Sequence, residues 1–196
     1  MGWQDYTIAA ISNANKPYYT ELIRFNDFTT QNGGALDVLA PVTLGVGGTD
    51  PDGIITGGAG GVITINKSGP FMIKQSFQVT RNSNPGNAEV FFQAQISVDG
   101  GTVWSAIGNS VNRRIANANT INVFFDFAPV FFPAGVKVRN VWAKSSVGGD
   151  PANPSSGVNN GQLIYTKPSA ALSAAGVADV PSASAVIYTL NGYNYI

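Results

Sequence analysis

The chain has 196 residues and contains neither Cys nor His. Thiolate and imidazole chemistry are thereby excluded: no Cys or His nucleophile, no Ser–His–Asp triad and no His or Cys metal ligand can be built. What remains is 11 acidic and 11 basic residues. Asp50 and Asp52, with Gly53 in TDPDG, have the spacing that opens a calcium loop. Such a loop closes on a Glu at its twelfth position, and counting from Asp50 that residue is Gly61. Asp-Pro and Asp-Gly also form turns, and the turn reading is preferred. Glycoside hydrolysis needs two carboxyl groups flanking the bond. The only Glu residues are Glu21 and Glu89, and Asp126 stands alone between Phe125 and Phe127. An Asp so placed pairs with a Lys or Arg across strands more readily than it serves as a catalytic acid. Arg113-Arg114, with Asn112, Asn117 and Asn119, reads as a small basic polar turn. A solvated loop or an inter-subunit contact is preferred there over a phosphate or glycan site. No enzymatic activity, cofactor or metal is expected.

The net charge is zero and charged residues make up 11% of the chain, against roughly 25% in ordinary soluble domains. Such a chain attracts neither nucleic acid nor an anionic membrane as a whole. It is also poorly protected against association, which implies surface buried against other chains. No apolar run of 18 residues exists and the start, MGWQDYT, lacks the segments of a secretion signal, so no membrane partner is expected.

The elements that must carry these residues show a period of two. From Gly69 onward, Phe71, Ile73, Phe77 and Val79 share one face. Lys74, Ser76, Gln78 and Thr80 share the other, with Met72. A short run, Val62 to Asn66, precedes this strand across a Lys-Ser-Gly-Pro turn. Ala88, Val90, Phe92, Ala94, Ile96 and Val98 line a further strand, and Asp99-Gly100-Gly101 supplies a hairpin turn before Thr102–Ile107. Ile121, Val123, Phe125 and Phe127 face inward on the next, which Pro129 interrupts. Val136–Lys144, Leu163–Thr166 and Ala185–Leu190 follow. Ser169–Val180 is Ala-rich and reads as a short helix or a loop. Residues 45–61 are too rich in Gly for a regular element and read as a long loop with a short Ile54–Thr56 strand. Trp104 and Trp142 are expected packed on strands. Phe91 and Phe124 fall out of phase with their strands, on the solvent side, and would mark an interface if they adjoin. Alternation over many strands with Gly, Pro and Asn turns argues for an antiparallel sandwich.

The stretch Ile63-Thr64-Ile65-Asn66-Lys67-Ser68-Gly69-Pro70-Phe71 resembles a conserved region of complement C1q and tumour necrosis factor (TNF)-like domains. Phe132-Pro133-Ala134-Gly135-Val136-Lys137-Val138 resembles a later strand start of that family, with Val136 where the family has Asp. Ala185–Gly192 resembles its closing strand. The resemblance implies a jelly-roll sandwich that forms trimers. It also implies two settings in tailed-phage virions: capsid decoration (cement) proteins, and knobs on tail fibres or needles. In composition the chain is more similar to such virion proteins than to animal cytokines. The expectations are therefore an all-β, trimeric jelly roll at 61–196, with an N-terminal arm and Gly-rich loop at 1–60. Phe91 and Phe124 are expected at the trimer interface. Tyr6, Ile8, Tyr18, Tyr19, Leu22, Ile23 and Phe25 are expected in an arm that grips the major capsid protein. The expected place is the virion surface, after synthesis in a bacterial cytoplasm; the alternative function is a receptor-binding knob.

Overall fold

The computed structural model of the chain describes residues 19–45, 47–48, 50–81, 88–115, 120–145, 161–190 and 193–196, with backbone alone at 19–20, 59, 120 and 125–129. Its strands form two antiparallel sheets. The first is built from β1 (Tyr19–Asp27), β5 (Gly69–Arg81), β8 (Thr120–Phe132), β10 (Gly161–Leu163) and β11 (Ala183–Leu190). β11 lies between β1 and β5. β8 runs along the other side of β5, and β10 pairs with the last residues of β5. The second sheet holds β2 (Ala40–Pro41), β3 (Ile55–Gly57), β4 (Val62–Ile65), β6 (Ala88–Ser97), β7 (Ser105–Ile115) and β9 (Lys137–Lys144). Its order is β3-β4-β9-β6-β7, with β2 also on β9.

Alternation explains the layering. Phe71, Ile73, Phe77 and Val79 of β5 are fully buried, as are Val90 and Phe92 of β6 and Val138 and Trp142 of β9. Successive side chains of a strand point to opposite faces, so each sheet turns one apolar face inward. The Phe77 ring stacks on Phe92 at 5.2 Å, and Phe92 stacks on Trp142 at 6.2 Å. This row of rings ties β5 of one sheet to β6 and β9 of the other. Full burial of each such ring contributes about 1.5–3 kcal/mol.

The described residues before position 61 are not an appendage to this core. β1 pairs along β11 from Tyr19 to Asp27. Ile23, Phe25, Val42, Leu44, Ile54 and Ile55 lie in the same buried cluster as the residues that follow. The division at residue 60 therefore does not describe the fold. The Tyr18–Phe25 run looks arm-like only because its partner strand, β11, lies more than 150 residues away in the chain.

Several local expectations change. Val98 is 78% exposed, because β6 ends at Ser97 and the turn turns Val98 outward. Arg113 and Arg114 sit in β7, not in a turn: pairing with β6 extends this strand to Ile115 although its own residues are poor strand formers. Trp104 precedes β7 instead of lying within a strand. β8 continues through Pro129 to Phe132, with a register irregularity between its Phe127 and Val130 pairs; an edge strand tolerates a proline in this way. In the Gly-rich stretch the short strand is Ile55–Gly57. The late strands are Gly161–Leu163 and Ala183–Leu190. The Ala-rich stretch contains one helix, α1 (Ala170–Ala174), whose first turn is capped by Ser169 Oγ accepting from Leu172 N–H.

Candidate interaction surface

The outer face of the first sheet carries a shallow concavity lined by Arg24, Lys74, Ser76, Phe124, Ser184, Val186 and Tyr188. Strand register builds it row by row. Arg24 stands opposite Val186 and Val186 opposite Lys74; Ser184 stands opposite Ser76 and Ser76 opposite Phe124. Phe124 is 68% exposed, whereas Val186 is only 7% exposed under the longer side chains around it. The Lys74 ammonium lies 5.9 Å from the centre of the Tyr188 ring. Asp126 lies opposite Lys74 in register. Arg24 pairs with Glu21 at 2.8 Å, and its hydrogen bond holds the Glu21 carboxyl below the usual carboxylate range. Both groups are solvent-exposed, so the pair contributes roughly 0–1 kcal/mol.

Phe91 lies on the other side of the molecule. It is half-buried on β6, opposite Ala143 and Asn112, on the outer face of the second sheet. Both Phe residues are out of phase with their strands, as the alternation indicates. They do not adjoin, because the outer faces of a sandwich look away from each other. One patch containing both is therefore ruled out. Of the arm residues, Ile23 and Phe25 are buried in the core, and Leu22 is half-buried and packs against it. Tyr19 occupies the first position of β1. Tyr6, Ile8 and Tyr18 lie outside the described residues.

The remaining chemical candidates resolve into structural roles. Asp50 Oδ1 accepts from the Asp52 N–H at 3.2 Å and Oδ2 from the Ile55 N–H at 2.6 Å, so the motif is a turn. Among the described residues no group of three or more acidic side chains could hold a metal ion. Asp99 accepts from Ser97 Oγ and from the Thr102 and Val103 N–H groups. These bonds, the Ser97 one foremost, lower its pKa. Trp104 donates its indole N–H to the Gly101 carbonyl and lies 3.9 Å beneath the Arg139 guanidinium. Arg139 in turn donates to Gln95 Oε1 at 2.9 Å.

One feature escaped the sequence reading. Gln75 of β5 and Asn140 of β9 are each 2% exposed and meet in the core between the sheets. Asn140 Nδ2 donates to Gln75 Oε1, while Gln75 Nε2 and Asn140 Oδ1 have no partner. The available signal is that Gln75 fills the one polar position in the Phe71-Ile73-x-Phe77-Val79 series.

No protein-family model matches the chain, and no curated protein matches its sequence. Solved structures do match. The structure of the Eiger TNF from S. frugiperda superposes with a TM-score of 0.54 at 8% identity, covering 91% of this chain and 96% of that one. Identity at that level speaks to the fold alone: the protein is an all-β antiparallel jelly-roll sandwich, TNF-like in fold.

Proposed function

We propose that this chain is a structural virion protein, a homotrimer that decorates and stabilises a phage capsid. The observation that carries the reading is Phe124, 68% exposed on the outer face of the edge strand β8, at a concavity that Val186 and Tyr188 also line. An aromatic side chain in such a setting marks an interface. A chain with 11% charged residues is also suited to burying much of its surface against copies of itself. The TNF-like fold and the charge-poor composition, free of Cys and His, support the same reading. The partners are then other copies of this chain and the major capsid protein. The seat on the shell is not formed by Ile23 and Phe25, which the core occupies.

Two experiments test this. Light scattering should report a trimer at micromolar concentration, and Phe124→Asp should give monomer, since charging a buried hot spot costs on the order of 2–4 kcal/mol or more. A monomeric wild type would sink the assembly. Purified protein should rebind shells stripped of it and raise their resistance to heat. Binding to host cells with none to shells would favour a receptor-binding knob instead.

A further inference from the structure

Basic side chains from both sheets gather at the end of the sandwich where β5, β7 and β9 finish. Arg81 is the last residue of β5 and continues the core-facing series after Phe77 and Val79. Arg113 and Lys144 both stand opposite the buried Val90, one on each side of β6. Residues directly opposite one another share a face of the sheet. All three cations therefore lie on the inward sides of their strands near that end, with Arg113 exposed and Arg81 and Lys144 half-buried. Gly161 joins the two sheets there. It stands opposite Arg81, and a Cβ on it would meet Val90 Cγ1 at 2.5 Å and Lys144 Cγ at 3.6 Å. With strands about 4.8 Å apart, Arg113 and Lys144 are roughly 10 Å apart across β6. A single extended segment can reach both.

Among the described residues no carboxylate forms an ion pair with Arg81, Arg113 or Lys144; the ion pair found there, Arg24–Glu21, lies elsewhere. Arg113 donates to its neighbour's carbonyl, that of Asn112. Arg81 Nε is buried and has no acceptor, an arrangement that favours a ligand able to supply one. Glu89 does not offset the rim: it stands opposite Arg114 and accepts from Asn112 Nδ2. In sequence, residues 82–87, 116–119 and 146–160, which connect these strand ends, carry one charged residue, Asp150.

We propose that this basic rim docks a carboxylate-rich segment of a protein partner, with Arg113 and Lys144 as the charge contacts and Arg81 Nε as the buried donor. Guanidinium forks match carboxylates in geometry. A nucleic acid would require an extended basic surface, but beside Arg113 the next basic group, Arg114, stands opposite Glu89, and the basic groups farther off are dispersed: Arg24 is held by Glu21, Lys74 lies by Tyr188 and Arg139 is stacked on Trp104. The site rests on register and charge alone; only the partner's identity as a capsid subunit rests on the function proposed above.

The test is fluorescence anisotropy of a labelled oligo-glutamate peptide titrated with the full chain. Binding is expected at low salt and should weaken as salt rises. Arg113→Glu, on an exposed edge strand, should weaken it by about tenfold or more. Lys144→Gln should also weaken it, and Lys67→Gln, at the far end of β5, should not. Thermal unfolding of each variant confirms that it is folded. Absence of peptide binding at low salt, or equal loss in Lys67→Gln, would overturn the site. Tighter binding of an oligothymidylate of equal charge, or of phosphatidylserine vesicles, would overturn the partner class. Oligo-glutamate binding by a protein that does not rebind stripped shells would uphold the rim and count against the virion reading.

Discussion

Replacing Gln75 by Leu should destabilise the protein, and replacing Asn140 by Val at the same time should restore it. Gln75 and Asn140 are each 2% exposed and face one another across the core. Gln75→Leu removes the acceptor of the Asn140 amide N–H, and Asn140 Oδ1 already lacks a partner among the described residues. An unsatisfied buried polar group costs about 1–3 kcal/mol, so the single variant should lose that much. Asn140→Val should cost a similar amount by stranding Gln75. In the double variant neither amide remains at this position, and apolar groups fill the space between the two sheets. Such replacements are often neutral or stabilising. The coupling energy should therefore be about 1–3 kcal/mol, well above the few tenths expected of independent sites. For a chain of this length 1 kcal/mol shifts Tm by roughly 2–4 °C. Urea and thermal unfolding of the four proteins at one fixed concentration would measure it. Additive losses in the double variant, or neutral singles, would refute the reasoning.

Three further outcomes are expected. Tyr195 Oη accepts from the Leu190 N–H at 2.6 Å and donates to the Pro70 carbonyl at 2.7 Å, while its ring packs on Phe71; Tyr195→Phe should lower stability by about 1–3 kcal/mol, and an unchanged urea midpoint would show that this tail contact is dispensable. The Asp99 carboxyl has its pKa lowered by its turn bonds, so its stabilising effect is complete above the unfolded value and is lost as pH falls through the lower folded one. Asp99→Asn should flatten the acid limb of a Tm-against-pH curve below about pH 4, and an identical limb would contradict this. Because Asp50 serves backbone N–H groups, a chelator should leave Tm unchanged; a large drop would reinstate that turn as a cation site.

Much of the fold was legible because a strand with one buried face writes its period into the chain. β5 and β6 could be read from Phe71, Ile73, Phe77 and Val79 and from Ala88, Val90 and Phe92, and all of these are buried. β7 was legible only in part. Ser105–Ile115 is mostly exposed, so no apolar face marks it, and its backbone is ordered by the neighbouring β6. Gln75 was passed over for the opposite reason: a polar residue in an apolar series reads as an exception until the facing Asn140 is seen.

By itself the sequence determined the class of the protein. Alternation, turn residues and the absence of Cys and His follow from local chemistry, since side-chain period and reactive groups are properties of short stretches. Only the tertiary structure decided which stretches meet. It placed Tyr19–Asp27 against Ala183–Leu190, making Ile23 and Phe25 core instead of arm. It set Phe91 and Phe124 on opposite faces, and it brought Arg81, Arg113 and Lys144 to one rim. Those outcomes depend on pairings between residues far apart in the chain. No local period encodes such pairings, because each is chosen by burying whole faces at once.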